Sequence, residues 1–565
     1  RQHPSPPTPP AAASSSAGAA APPSPKVRCA VRSALDRLLA ASGAPSHAPV
    51  VTSPKRGEEG LELSEVEAEL FGLLRAVVRE YGLKTTLRVA GGWVRDHLLG
   101  RERGEVDVDV VVDDLCGAEF AGYVARYVRE SGCGAEVKVA VISENAEKSK
   151  HLETATMRVC GLSVDVVNLR SERYTECSRI PEVEIGTPLE DAERRDLTIN
   201  ALFYNINTRC VEDFTGKGLA DLRDAVIRTP LPPLTTLLDD PLRVLRAVRF
   251  TSRLDFTLCP NLLSAACDPA VHAALATKVS RERVSTEVDA MLREQNPDRV
   301  VRALGLLVEM GLYPAIFPGP STYAHPPDIH AEAALGSVVN LELMLAHHFD
   351  GVAQHSKEDT RLARYAAFFA PVADATYSGK KGRTEPLVRH LMGVDLRVRV
   401  RDVDAVVQIH AAARHFARLA ADPVLRTRLA AARVLRQIGP RWKIALQVAL
   451  LAEIEPSPKL PTYRVPVAHA LPCRELGEEG GGAEAEAARR FAGLQREIEG
   501  MGLEGVWDLK AMVDGKDLPA CLPRIKKGPE MGKVLEREIE WMIENPDCGR
   551  DECERWLKEE FEQWA

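Results

Sequence analysis

Apolar residues recur at helical intervals through LELSEVEAELFGLLRAVVREYG (61–82), and TLRVA (86–90) then has the composition of a strand. The first stretch predicts a helix that leads into the first strand. Strands and helices alternate from there to residue 228, the pattern of a mixed α/β head. From Asp239 onward the spacing is helical, broken at Pro/Gly clusters such as FPGPS (317–321). GEEGGGAEAEAA (477–488) reads as a Gly/Glu/Ala linker or loop, and helical spacing resumes after it to the terminal WLKEEFEQWA. No repeat of fixed period is present. The expected class is α+β, a mixed head followed by an all-helical remainder.

Residues 1–60 stand apart. RQHPSPPTPPAAASSSAGAAAPPSP (1–25) is of low complexity and cannot build a core. KVRCAVRSALDRLLA (26–40) carries spaced Arg and Lys, apolar positions at helical intervals and one acid. Two readings stay open. One is an organellar transit peptide, for a mitochondrion or a plastid. The other is a disordered tail with no address, which leaves the chain in the cytoplasm or nucleus.

Composition narrows the class further. A chain of 565 residues has room for three or four domains, and 45% hydrophobic content is ordinary for a soluble protein. Aromatics at 5% argue against a platform of many stacking rings for single strands. A net charge of −8 does not advertise nucleic-acid binding, but a whole-chain sum hides local basic clusters. No apolar run reaches the roughly 18 residues of a membrane helix, so no membrane span is expected. The 12 cysteines are scattered without a CxxC pair, and no His completes a zinc pattern near Cys548 and Cys553. They read as reduced, partly buried thiols of an intracellular protein. The histidines offer no rival chemistry: His347 and His348 are followed by Phe349 and Asp350, and His325 and His330 lie in a Pro-rich loop.

The chemistry concentrates in RVAGGWVRDHLLGRERGEVDVDV (88–110). The valines argue for a strand, on which Asp107 and Asp109 share one face while Val106, Val108 and Val110 take the other. Two carboxylates so placed repel each other, and a hard divalent cation relieves the repulsion. Mg²⁺ is commonly held by one or two carboxylates plus substrate phosphates. Gly91 and Gly92 let a backbone turn approach a triphosphate closely, and Arg95, followed by Asp96, can neutralise a phosphate. An isolated DVDV is more often an edge strand with solvated acids. At this spacing from the glycine pair it reads as a metal-dependent phosphoryl or nucleotidyl transferase. Asp165, in SVDVVN, is a candidate third carboxylate or else a structural acid near the site.

Two further segments carry chemistry. In ERRDLTINALFY (193–204), Arg195 can bind phosphate, and Asp196 and Asn200 can hydrogen-bond a ribose; Asp196 can equally cap a helix containing Thr198 and Asn200. In DDPLRVLRAVRF (239–250), Asp240 falls at or near the N-cap of a helix opened by Pro241, with Arg243 three residues on. Arg246 and Arg249 continue at steps of three. An Asp offers only acceptors and an Arg only donors, so a rigid pair of them can meet the Watson–Crick edge of a base. The plain alternative is an N-capped amphipathic helix with a solvated Arg row.

In this order the three motifs resemble the tRNA nucleotidyltransferases, the CCA-adding enzymes, and most closely the eukaryotic-type members of the class shared with bacteria. EKSKHLETATMRVCGLSVDVVNLRSERYTE (147–176) looks like the segment around their flexible loop, KVSRERVSTEV (278–288) like part of their neck, and KKGPEMGKVLEREIEWMIENP (526–546) like their tail. The resemblance covers residues 62–320 and 505–557. It implies a polymerase-beta-like nucleotidyltransferase head at 61–228, a nucleotide-selecting helical neck at 229–300, a helical body at 301–460 and a tRNA-binding helical tail at 461–565. It implies Asp107 and Asp109 as catalytic Mg²⁺ ligands. Gly91, Gly92, Arg95, Asp96, Arg195, Asp196, Asn200, Asp240, Arg243, Arg246 and Arg249 become nucleotide-binding residues. Arg195, Asp196 and Asn200 would tell ribose from deoxyribose, and Asp240 with Arg243 would accept C and A while rejecting U. The implied reaction adds CCA to the 3′ end of tRNA from CTP and ATP and releases pyrophosphate. Arg524, Lys526 and Lys527 are candidate phosphate contacts in the tail or else a solvated basic turn. The chain departs from the family pattern at Asp239, where many relatives have Glu, and at Glu105, where Ser is common. The alternatives are a related poly(A) polymerase or a partial CC- or A-adding enzyme on the same fold, and a catalytically inactive RNA-binding protein.

Overall fold

The computed structural model describes residues 50–52, 61–101, 107–131, 138–142, 154–175, 178–323, 330–346, 355–379, 382–454 and 482–564. Glu105, His325, His347 and His348 lie outside them, as do residues 1–49 and 53–60 of the expected leader.

The head is built on strands β1 (Val50–Thr52), β2 (Leu87–Ala90), β3 (Asp107–Val112), β4 (Val139–Ile142), β5 (Thr154–Val159), β6 (Leu162–Asn168), β7 (Arg170–Thr175), β8 (Ser178–Ile185), β9 (Phe203–Asn205) and β10 (Cys210–Asp213). Eight of them form one sheet in the order β1-β10-β9-β2-β3-β6-β5-β4, while β7 and β8 make a separate hairpin. The β3–β6 pair is parallel, and the other ladders of the large sheet are antiparallel. The mixed head is as expected, with one correction. The stretch read as leader contributes the edge strand β1, because Val50, Val51 and Thr52 are β-branched and pair with Asp213, Glu212 and Val211.

The helix expected in 61–82 spans Glu65–Glu80. Ser64 caps it: its Oγ accepts from the Glu67 N–H at 3.3 Å, and Glu67 Oε2 accepts from the Ser64 N–H at 2.9 Å. Leu70, Phe71, Leu74 and Val77 form its buried face. Beyond the head the described residues are helical in their regular structure, apart from a short parallel pair (Val226–Ile227 with Thr257–Leu258) and a hairpin of Thr376–Ser378 with Thr384–Pro386.

Residues 483–488, read as linker, instead open the helix Ala483–Gly500. Alternating Ala and Glu favour a helix, and Ala487, Phe491, Leu494 and Ile498 join the main core. Besides a small separate cluster in the head around Ala90, Val111 and Phe203, a further core forms from Val513, Leu518, Cys521, Leu522, Ile525, Met531, Val534, Cys553 and Leu557. Among the described residues this separate tail core thus begins near Val513. The eight described cysteines are free, and no helix among the described residues is long and apolar enough to cross a membrane.

Candidate active site

The site starts from the pleat of β3. Val108, Val110 and Val112 are buried beneath the sheet, which leaves Asp107 and Asp109 exposed together on the other face. The parallel register sets Asp165 of β6 directly beside Asp109. The Asp109 carboxyl is pushed above its ordinary range, first by loss of solvation and then by the Asp165 charge. Arg195 pulls it back, and Asp107 adds to the rise. Crowded acids on an open face suit a divalent cation. Among the described residues no cluster of three or more His, Cys, Asp or Glu side chains is arranged to hold a metal ion. Mg²⁺ is commonly held by one or two carboxylates, with substrate oxygens and water completing its coordination, and the Asp107–Asp109 face offers such a pair.

The glycine turn lies at the end of β2. Gly91 has φ 76° and ψ −135°, in the left-handed half of the map that favours glycine. A Cβ there would stand 3.2 Å from Arg195 Nη1, and one at Gly92 would stand 3.3 Å from Arg95 Nη2. Two guanidinium groups therefore close over the turn, and they are not equivalent. Arg95 is 4% exposed. Its Nε and Nη2 donate to the Asp96 carboxylate, each at 2.9 Å, and its Nη1 donates to Asn200 Oδ1 at 2.5 Å. Both arginines bond protein through all three nitrogens, but Arg195 is the more exposed, 19% of its side chain against 5% for Arg95, and its charge acts on Asp109, so phosphate contact falls more naturally to it.

Asp196 does not cap the turn after it. That turn is a three-residue 3₁₀ segment, Thr198–Asn200, with Leu197 at its N-cap. Asp196 Oδ1 accepts from the Leu197 N–H at 2.8 Å and from Asn200 Nδ2 at 3.1 Å, while Oδ2 accepts from Arg246 Nε at 2.7 Å. Burial opposes its charge, but Arg246, Asn200 and Arg243 outweigh burial and hold the carboxyl below its ordinary range.

Arg246 carries that link into the helix Leu242–Leu254. Its Nη1 lies 3.7 Å from Glu287 Oε1, and Arg249 Nε donates to Glu287 Oε2 at 2.6 Å. The Phe250 ring has the guanidinium carbons of Arg95, Arg246 and Arg249 at 4.9, 5.7 and 4.5 Å from its centre. The arginine row is therefore bound into a network joining head to neck, not simply solvated.

Asp240 and Arg243 sit on one turn, with Asp240 beside the N-cap as expected: its Oδ1 accepts from the Leu242 N–H at 3.3 Å and its carbonyl from the Arg243 N–H at 3.0 Å. Asp240 ends the helix Pro233–Asp239, and Pro241 takes the N-cap position of the next. The Asp240 carboxylate is held by Arg283, with Nη2 donating at 2.7 Å and Nη1 at 3.3 Å. Arg243 is buried and donates to the carbonyl oxygens of Arg194 (2.6 Å) and Thr236 (3.4 Å). Burial pushes the neighbouring Asp239 carboxyl up, against the pull of Arg243 and Lys278.

Four supporting residues escape motif reading: Asp191, Glu172, Arg283 and Glu287. One had a usable signal in helical spacing: Asp191 precedes Arg194 and Arg195 by three and four residues and pairs with both, whereas Arg283 and Glu287, four apart, take the partners Asp240 and Arg249.

Comparison with known proteins agrees with this geometry. Residues 87–228 match the family model of the Poly A polymerase head domain. The tRNA nucleotidyltransferase cca1 of Schizosaccharomyces pombe is 32% identical, covering 87% of this chain and 95% of that protein. The mitochondrial CCA tRNA nucleotidyltransferase of Saccharomyces cerevisiae is 33% identical, covering 88% of this chain and 92% of that protein. A solved structure of the Thermotoga maritima CCA-adding enzyme complexed with tRNA shares the fold, with a TM-score of 0.53, 18% identity, and coverage of 88% of this chain and 95% of that one. Sustained identity to both yeast proteins over nearly their whole length, with the acid pair, the glycine turn and the neck motif in one connected site, makes this chain a member of the tRNA nucleotidyltransferase family.

Proposed function

We propose that this protein adds CCA to the 3′ end of tRNA from CTP and ATP, without a nucleic-acid template. The observation that carries the reading is the polar chain from Arg95 through Asn200, Asp196 and Arg246 to Glu287. It ties the head that bears Asp107 and Asp109 to the neck that bears Asp240 and Arg243.

In this reading the tRNA 3′-hydroxyl attacks the α-phosphate of the nucleotide, and pyrophosphate leaves. Mg²⁺ held by Asp107 and Asp109 would supply charge neutralisation at the triphosphate. The Gly91–Gly92 turn and Arg195 receive the phosphates. Asp196 and Asn200 meet the ribose, with Arg95 and Asp96 fixing Asn200 from behind. Asp240 and Arg243 read the base edge. Because Arg283 and two backbone carbonyls hold that pair, it cannot rearrange to suit a uracil edge without leaving polar groups unpaired. Arg246 and Arg249 serve the nucleotide by bracing the neck. Positioning and charge account for most of the catalysis, as is general for phosphoryl chemistry.

The head at 61–228 and the neck at 229–300 thus hold the nucleotide, and the helical segments after them hold the tRNA through phosphate and sugar contacts. Arg524, Lys526 and Lys527 are exposed in the tail and suit that role. An organellar address for residues 1–60 rests on their composition, and a reporter fusion tests it.

The test is incubation of purified protein with labelled tRNA ending at the discriminator base, plus CTP and ATP. Extension by CCA is expected. A run of A residues would reassign the chain to poly(A) synthesis, and addition of CC or A alone would make it a partial adder. No extension and no Mg²⁺-dependent pyrophosphate release would leave it an inactive RNA-binding protein.

A further inference from the structure

We propose that Asp191 is a positioning residue that sets the phosphate end and the base end of the nucleotide site together, and that Glu172 supports the base end. The inference rests on the roles given above to Arg195 and Arg243.

Asp191 lies on the short helix Pro188–Glu193, is 1% exposed, and has ligands on both oxygens. Oδ1 accepts from Arg194 Nε at 2.8 Å, from Arg194 Nη2 at 2.6 Å and from the Arg170 N–H at 3.1 Å. Oδ2 accepts from Arg195 Nε at 3.1 Å and from Nη2 at 2.8 Å. One carboxylate therefore fixes two consecutive arginines whose like charges would otherwise drive them apart. From this clamp the Arg195 side chain and the Arg194 backbone lead to opposite ends of the site. Arg195 turns its Nη1 to the Asn200 carbonyl at 3.3 Å and lies over the Gly91 turn. Arg194 turns its Nη1 to Glu172 Oε1 on β7 at 2.8 Å, and its own carbonyl accepts from Arg243 Nη2 at 2.6 Å.

The backbone holds this arrangement in register. The Gly186 N–H donates to the Leu169 carbonyl at 3.0 Å, and a Cβ at Gly186 would fall 2.6 Å from the Ser171 nitrogen. Glycine thus lets the chain entering the Asp191 helix pass directly against the start of the β7–β8 hairpin that carries Glu172. A free arginine samples many rotamers, and binding must then bear the ordering cost. Pinning both arginines beforehand removes that cost for phosphate and base alike.

The experiment uses the full chain and a tRNA lacking its 3′ nucleotides. Single-nucleotide addition gives the kcat/KM ratio of CTP to UTP, which reads the base end. Inhibition by pyrophosphate gives a Ki that reads the phosphate end, and thermal melting reports folding. Glu172→Gln should lower the CTP:UTP ratio by about tenfold, the usual order for a lost charged hydrogen bond, with the pyrophosphate Ki held within about twofold. Asp191→Asn should lower the ratio and raise the Ki, each by about tenfold, with partial recovery in Asp191→Glu. Arg243→Ala serves as the reference. A ratio lost in Arg243→Ala but kept in Glu172→Gln overturns the inference and leaves the base-reading proposal standing. A ratio kept in Arg243→Ala overturns that proposal and the inference with it. An Asp191→Asn protein that melts earlier while keeping both ratio and Ki shows a purely structural role and overturns the inference. If Asp191→Asn does not fold, Glu172→Gln decides.

Discussion

Arg283 holds Asp240 across 43 positions of sequence, with its Nη2 2.7 Å from one carboxylate oxygen and its Nη1 3.3 Å from the other. The residue expected to read a base is thus fixed by a guanidinium on the helix Arg281–Leu292, not by Arg243 beside it. Replacing Arg283 by Ala should leave the fold nearly intact, since pairs this exposed contribute only about 0–1 kcal/mol. It should cost about tenfold in kcat/KM for both CTP and ATP, because Asp240 is no longer held. Unchanged kinetics with a lowered melting temperature would show that the pair serves only stability.

Arg246 and Asp196 make a stronger prediction about folding. The depressed Asp196 carboxyl contributes stability that is present above its ordinary value of 3.8 and is lost as pH falls through its lower folded value. Arg246→Ala leaves this buried carboxylate short of a partner and should cost about 1–3 kcal/mol at neutral pH, with a flatter acid limb. Adding Asp196→Asn should recover part of the loss. Denaturant melts at pH 7 and at about pH 2 measure both effects, and an Arg246→Ala protein as stable as wild type would contradict the account.

The outer frame of this site is legible in the chain, but its interior is not. Alternation in DVDVVV places Asp107 and Asp109 on one face, and the glycine pair marks the turn, because both depend on neighbours a few residues apart. Spacing also predicts the helix after Ser64. Asp240 reads as lying at the start of the next helix, and it does bond the Leu242 N–H, but the guanidinium that holds its carboxylate comes from Arg283, 43 positions away. Arg95 reads as a phosphate ligand, yet burial against Asn200, 105 positions away, turns it inward. Local rules say what a side chain can offer, and only the packed chain decides which partner takes the offer. The edge strand β1 was hidden for a related reason. Three residues carry too little periodicity to register, and their partner β10 is remote in sequence.

Glu538 predicts an opposite pH response in the tail. It is fully buried and accepts from the Val513 N–H at 2.7 Å, beside Cys553, whose thiol is pushed up to about 12. Burial raises the Glu538 carboxyl above its ordinary value of 4.5, so the protonated acid is the form that folding favours. Its contribution is fully present below that value and is lost as pH rises through the folded one. Glu538→Gln should therefore flatten the pH dependence of tail unfolding above pH 4.5, read from the fluorescence of Trp541, Trp556 and Trp564. Identical slopes in wild type and variant would show that the carboxyl does not titrate on unfolding.

The most direct measurement of the central claim is nucleotide addition by Asp107→Ala and Asp109→Ala at saturating Mg²⁺, with tRNA binding measured alongside. Removal of either carboxylate should withdraw charge stabilisation from the transition state whatever the base. Addition of C and of A should therefore fall together by more than about a hundredfold while tRNA binding is largely kept. Near-normal turnover in either variant, or loss of one nucleotide alone, would contradict the assignment of the β3 acid pair as the catalytic centre.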